Sequence, residues 1–91
     1  MVKIRFSSAL NNLTKTRETT LELGDTTVKA VLDNLIGQFG EEFERRMLDN
    51  GELRRFVNLY VNGEDVRHEA GLATKVTDAD EISILPAVSG G

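Results

Sequence analysis

The chain is 91 residues long, 40% apolar and 29% charged, with a net charge of −4 and no cysteine. That length holds one domain with a single core and leaves little room for a deep catalytic pocket, since small-molecule sites take about 300 Å3 or more. The composition excludes a disordered chain, a disulfide, a thiolate metal site and a cysteine nucleophile, and the lack of a basic stripe excludes the electrostatic footprint of a nucleic-acid binder.

Val2, Ile4 and Phe6 alternate with Lys3, Arg5 and Ser7, the period-two pattern of a strand with one buried face. Ser7 to Arg17 is polar and reads as a loop, and Glu18 to Leu23 alternates again with Leu21 and Leu23 inward, so the two strands form a hairpin. Gly24-Asp25 breaks the pattern, and Asp25 or Thr26 is placed to cap a helix. Val28, Val31, Leu32, Leu35, Ile36 and Phe39 then recur at helical spacing, and Gly40 closes the run. Glu41 to Leu48 predicts a shorter helix with Phe43 and Met47 on one side, and Asp49-Asn50-Gly51 predicts a turn.

Phe56 to Asn62 is the clearest strand, with Val57, Leu59 and Val61 on one face and Phe56, Asn58 and Tyr60 on the other. Asn62-Gly63 signals a tight turn, after which Asp65 to Arg67 returns as a short strand. Gly71 to Thr74 reads as a turn or one helical turn, and Asp78-Ala79-Asp80 as a polar turn. Glu81 to Leu85 is the last strand, with Ile82 and Ile84 inward, and Pro86, which has no N–H to donate, is expected to end it.

A sheet and a helix with one apolar face each are most economically buried against one another. The expected fold is therefore α+β: a β-grasp, or ubiquitin-like, roll in which a mixed sheet of about five strands carries one main helix across one face. In that roll the first and last strands are central and parallel. The domain is expected to span residues 1–86, with 87–91 as a flexible tail.

Enzymatic chemistry is hard to find. His68 is the only histidine and sits in the polar stretch Arg67-His68-Glu69; a single histidine without cysteines makes a poor metal site, so no metal is expected. Glu41, Glu42 and Glu44 fall near the first turn of a helix, where negative charge complements the dipole, and Asp78 and Asp80 suit a surface turn. No phosphate-binding glycine loop and no nucleophile elbow is present. No catalytic residues are therefore assigned. The alternating N-terminus is no signal peptide, and no apolar run approaches the roughly 20 residues that cross a bilayer, so the expected location is the cytoplasm, away from the membrane.

What remains is the end of the chain, Ala87-Val88-Ser89-Gly90-Gly91. Residues beyond a last strand pack poorly, and two residues without Cβ make a backbone thin enough to thread a narrow channel. A carboxylate carried this way can enter another protein's active site while the domain stays outside. It is a poor electrophile until activated, for example by adenylation, and the chain has no nucleotide site of its own. An ATP-using partner is therefore implied. Phe56, Tyr60 and Leu85 point to the uncovered side of the sheet, where grouped apolar residues near a functional tail read as a partner patch; the rival reading is that the second helix or a loop covers them.

The stretches Phe56-Val57-Asn58-Leu59-Tyr60-Val61-Asn62-Gly63-Glu64-Asp65-Val66-Arg67, Gly71-Leu72-Ala73-Thr74 and Asp78 to Gly91 resemble the ubiquitin-like sulfur carriers. That family includes the small subunit of molybdopterin synthase, the thiamine-pathway carrier, carriers of cysteine biosynthesis and archaeal small modifiers. The resemblance is strongest to the cysteine-biosynthesis branch. It implies that an E1-like adenylyltransferase activates Gly91 with ATP and that a sulfur donor or sulfurtransferase makes the thiocarboxylate. An acceptor enzyme, such as a pyridoxal-phosphate-dependent cysteine synthase or the large subunit of molybdopterin synthase, then takes the sulfur. A JAMM-type metalloprotease would release the product, and the carrier itself binds no cofactor. Gly90 supplies slimness, and Pro86, Ala87, Val88 and Ser89 supply the leash. In modifier relatives the activated carboxyl forms an isopeptide bond with lysine. A plain interaction module with an incidental Gly-Gly end is the remaining alternative.

Overall fold

The computed structural model describes residues 1–86. The elements run β1 (Val2–Phe6), α1 (Asn11–Thr14), β2 (Glu18–Leu21), β3 (Thr26–Thr27), α2 (Val28–Phe39), α3 (Glu41–Met47), β4 (Leu48–Asp49), β5 (Glu52–Leu53), β6 (Val57–Val61), β7 (Glu64–Asp65), β8 (Lys75–Val76) and β9 (Glu81–Pro86). The main sheet has five strands in the order β2-β1-β9-β6-β7. β9 lies at its centre, parallel to β1 with Ile4 opposite Ile82, and antiparallel to β6 with Leu59 opposite Ile84. This is the expected β-grasp roll.

Alternation decides which side of the sheet is covered. Val2, Ile4, Val57, Leu59, Ile82 and Ile84 are almost fully buried under α2, whose stripe of Val28, Val31, Leu32 and Leu35 is equally buried. Val61, expected in the core with them, is only partly buried. α3 adds Phe43 and Met47, both at 0% exposure. Phe43, Phe6 and Phe39 form one aromatic cluster, Phe6 meeting Phe39 edge-on at 5.6 Å and Phe43 at 6.2 Å, the approach that ring quadrupoles favour.

The structure departs from the sequence reading at its short elements. Ser8 to Thr14 is not a plain loop but a 3-10 turn followed by α1, because Leu10 is drawn wholly into the core and the buried Thr14 hydroxyl donates to the Leu10 carbonyl. The cap of α2 is neither Asp25 nor Thr26. Thr26 and Thr27 pair with β8, which delays the helix by a residue or two, and the Thr27 hydroxyl accepts from the Ala30 N–H at 3.3 Å. Asn50-Gly51 is a turn, as expected, but it joins a small hairpin, β4 to β5. The returning strand after Asn62-Gly63 is Glu64–Asp65 rather than Asp65 to Arg67, since Val66 turns away into the core and the chain winds into a 3-10 turn. Both hairpin turns take positive φ at consecutive residues, 55° and 79° at Asn50 and Gly51 and 52° and 86° at Asn62 and Gly63. Asn-Gly tolerates this pairing best.

Two turns are tied together at the start of β9. Asn62 donates through Nδ2 to Asp80 Oδ1 at 2.8 Å, and its Oδ1 accepts from the Glu81 N–H at 3.0 Å. The other Asp80 oxygen accepts from the Thr77 N–H at 2.8 Å. These donors, the Thr77 backbone first and the Asn62 side chain second, hold the Asp80 carboxyl below its ordinary pKa. A depressed carboxylate stabilises the fold above its unfolded pKa, and that contribution is lost as pH falls through the lowered folded value. Asp80→Ala should therefore cost about 1 kcal/mol at neutral pH. It should also flatten the acid limb of a stability-versus-pH curve measured by urea titration.

Candidate functional site

The C-terminal end of β9 is the part of the fold that leads to the Gly-Gly tail. β9 is held on both edges: the Ile84 carbonyl accepts from the Ser7 N–H at 3.1 Å, and Leu85 and Pro86 sit opposite Asn58 and Val57. With Ile82 and Ile84 at 0% exposure, the strand is among the most firmly anchored parts of the chain. The chain is thus delivered to Pro86 at a fixed place beside the start of β6. The expected tail, Ala87, Val88, Ser89, Gly90 and Gly91, lies outside the described residues.

The outer face of the sheet has two halves of different character. Across β2, β1 and β9 it is ionic, with Lys3 Nζ 3.5 Å from Glu18 and Arg5 Nη1 3.4 Å from Glu81. These pairs are exposed and contribute little to stability. Toward β6 it is apolar. Phe56, immediately before β6, is 50% exposed, and Leu85, opposite Asn58, is 42% exposed. Among the described residues neither is covered by α3 or by a loop. Tyr60 lies further along β6, opposite Ser83, and is half-buried. The structure therefore brings Phe56 and Leu85 to the same end of the β6–β9 pair as Pro86 and leaves Tyr60 at a distance from that end.

Sequence periodicity gave no hint of the device that holds Phe56. The Arg67 guanidinium donates from Nη2 to the carbonyls of Arg54 at 2.6 Å, Arg55 at 3.1 Å and Val57 at 2.7 Å, while Nη1 meets Asn58 Oδ1 at 3.5 Å. Arg54 in turn donates from Nε to the Arg45 carbonyl in the last turn of α3. The guanidinium thus ties down the segment that carries Phe56, Nη2 sharing its two N–H donors among three carbonyls. Asp65 fixes the root of Arg67 by accepting its N–H at 2.8 Å. The only sequence signal was the presence of Arg67 in the stretch that resembles the sulfur carriers.

Nothing in the described residues gathers catalytic groups. His68 is exposed, Glu41, Glu42 and Glu44 lie on the exposed first turn of α3, and no three metal-binding side chains converge among the described residues. An open groove of about 570 Å3 between the β4–β5 hairpin and the turns after β7, roomier than the chain length led us to expect, is lined by Glu52, Leu53, Val66, Arg67 and Leu72 among others, with no serine, threonine, cysteine or histidine in its described lining. Among the described residues no helix is long and apolar enough to cross a membrane.

Comparison with known proteins agrees with the β-grasp fold. Residues 4–91 match the family model described as the ThiS family. The sulfur carrier protein CysO of Mycobacterium tuberculosis is 50% identical over 70 residues, covering 75% of this chain and 74% of that protein. Small archaeal modifier protein 3 of Haloferax volcanii is 37% identical over 67 residues, covering 74% and 72%. Among solved structures, the BexX/CysO complex of Amycolatopsis orientalis contains a chain that superposes with a TM-score of 0.88 at 33% identity, with 100% of both chains covered.

Proposed function

The chain belongs to the ThiS family, and from that membership we propose that it is a sulfur carrier working through the carboxylate of Gly91. Members of this family are small carriers on which enzymes act, and this chain is not an enzyme. An E1-like adenylyltransferase uses ATP to convert the Gly91 carboxylate to an acyl-adenylate, releasing pyrophosphate. Attack by sulfide expels AMP and leaves a thiocarboxylate; the persulfide of a sulfurtransferase expels AMP to give an acyl disulfide, which a second thiol cleaves to the thiocarboxylate and a mixed disulfide. The terminal sulfur then passes to an acceptor enzyme. Likeness to carriers named CysO favours the cysteine-synthesis acceptor, a pyridoxal-phosphate enzyme, over molybdopterin synthase, with a JAMM-type metalloprotease freeing the product.

The observation that carries this reading is that the family match runs through Gly90 to Gly91, directly behind a strand that the fold anchors on both edges. Phe56 and Leu85 offer the apolar contact through which the loading enzyme would grip the domain, with Tyr60 at the margin. A second reading has a specific support: likeness to a small archaeal modifier favours conjugation of the same activated carboxyl to lysine. Incubation with ATP, the cognate E1-like enzyme and a cell extract separates the two. A carrier yields chains of unchanged length that bear sulfur, whereas a modifier yields high-mass conjugates that survive reducing denaturation.

Phe56→Ala is expected to weaken binding to the loading enzyme by about 1–3 kcal/mol, the loss typical of an exposed aromatic anchor. Tyr60→Ala is expected to cost less, in keeping with its smaller exposure. Titration calorimetry checks both, and unchanged affinity for the two variants would remove the patch from the mechanism.

A further inference from the structure

The charge of this chain is unevenly spread. Residues 45–67 hold five basic and four acidic side chains, a net of +1, while the remaining residues hold six basic and eleven acidic, a net of −5. Within the basic stretch, Arg46, Arg54, Arg55 and Arg67 have no carboxylate within ion-pairing distance among the described residues; Lys15, Arg17 and Lys75 elsewhere also lack one, while Lys3, Arg5, Lys29 and Arg45 each have one. Glu52 lines the same groove as Arg67, and Asp65 binds the Arg67 backbone, but neither pairs with a guanidinium.

The hydrogen bonds these arginines do make go to neutral carbonyls. Arg67 spends its fork on Arg54, Arg55 and Val57, and Arg54 spends Nε on Arg45. Such bonds fix geometry without cancelling charge. Arg55 is exposed and makes no side-chain hydrogen bond to any described residue. Its backbone carbonyl is nevertheless held by Arg67 at 3.1 Å, so an unspent cation is carried on an anchored segment by the residue that precedes the exposed Phe56. The end of β6 that carries them lies beside Pro86, where the chain leaves for its tail.

We propose that Arg55, backed by the uncancelled charge of Arg54 and Arg67, is a recognition contact for a carboxylate on the rim of the apolar site where the loading enzyme receives Phe56. The partner surface is thus an acidic rim around an apolar pocket. A charge at such a rim acts mainly on encounter rate and its salt dependence, while the buried aromatic sets the dissociation rate. The cluster also helps to orient an otherwise acidic domain as it approaches the enzyme. This inference rests on the carrier reading.

The test is the steady-state rate of ATP-dependent loading by the cognate E1-like enzyme, with the full chain as varied substrate and salt raised through the physiological range. Wild type is expected to lose kcat/KM steeply with salt. Arg55→Glu should raise KM about tenfold with kcat unchanged and should flatten the salt dependence. Arg55→Ala should fall between the two. Lys29→Glu, on α2 and paired with Asp33, should behave as wild type. Since the Arg55 side chain has no partner among the described residues, its variants should melt with wild type, which calorimetry verifies. If wild type loads and Arg55→Glu loads with the same KM and salt slope, this inference fails while the carrier reading stands. If wild type takes up no sulfur, both fall. Tight binding of wild type to a single-stranded oligonucleotide, lost in Arg55→Glu, would also overturn the protein occupant.

Discussion

Replacement of Gly91 by tryptophan is expected to abolish sulfur loading while leaving the melting temperature unchanged. The reaction needs the terminal carboxyl to reach an adenylating centre within another protein, at the end of a backbone without bulk. An indole on the last residue widens the chain at the point that must travel furthest. Misplacement of a reacting carbonyl by about an ångström already costs on the order of 10²-fold in rate, and exclusion from the channel costs more. The core gives no reason for the fold to notice: its buried residues run from Val2 to Ile84. Gly90→Val should behave in the same way, through its β-branched side chain one residue earlier. Loading measured by mass spectrometry, set beside a calorimetric melt of each variant, checks the pair of claims. Normal loading of Gly91→Trp would remove the tail from the mechanism.

The largest effect on stability is expected at the other end of the molecule. Phe43 is fully buried on α3, edge-on to Phe6 of β1 and 5.5 Å from the Phe39 ring at the end of α2. It is the residue through which the short second helix joins the core between sheet and main helix. Phe43→Ala removes the buried ring and leaves a cavity that three elements must share, which costs about 3–5 kcal/mol. For a domain of this size each kcal/mol lowers the melting temperature by about 4–8 °C, so the variant should melt many degrees below wild type and lie near the limit of marginal stability. Loading should fail above the new melting temperature and recover on cooling. A melt within a few degrees of wild type would show that α3 contributes little to the core.

The contrast between these substitutions reflects how function is divided in the chain. Stability resides in alternating strands and one helical stripe, and those were legible in the sequence. Val2, Ile4 and Phe6, or Val57 and Leu59, announce their face by period two, and Val28 to Phe39 by period 3.6, because long elements repeat the signal several times. The two Asn-Gly turns were legible because their backbone demands positive φ. Most elements of two to four residues were not, although the short return after Asn62-Gly63 was expected within a residue or two and the helical turn at Gly71–Ala73 was expected. β3 and β8 exist because each supplies the other's hydrogen bonds, and α1 because Leu10 finds a hole in the core; neither cause leaves a periodic trace in the chain. The same holds for the Asn62–Asp80 tie and the Arg67 fork, where partners are far apart in sequence and one of them is backbone.

The exposed pair Phe56 and Leu85 was legible in part. Alternation fixed the face they occupy. Their closeness to the exit of the chain at Pro86 depends on β6 and β9 being antiparallel neighbours with Val57 opposite Pro86, a matter of register that no single strand encodes. Tyr60 shares their alternation and yet is half-buried, which alternation alone does not report. The arginines were the least legible of all. They stand in a chain whose overall balance is acidic, and only the fold shows which of them have no carboxylate partner among the described residues.

The most direct test of the carrier mechanism is where the sulfur goes. The wild-type protein, purified from its own cells and again after incubation with ATP, the cognate E1-like enzyme and a sulfide source, should be fragmented by tandem mass spectrometry. The expected result is a chain ending at Gly91 whose terminal residue alone has exchanged one oxygen for sulfur, with the change dependent on ATP. A natural chain that continues uncut past Gly91, or a sulfur carried anywhere other than that final carboxyl, would contradict it.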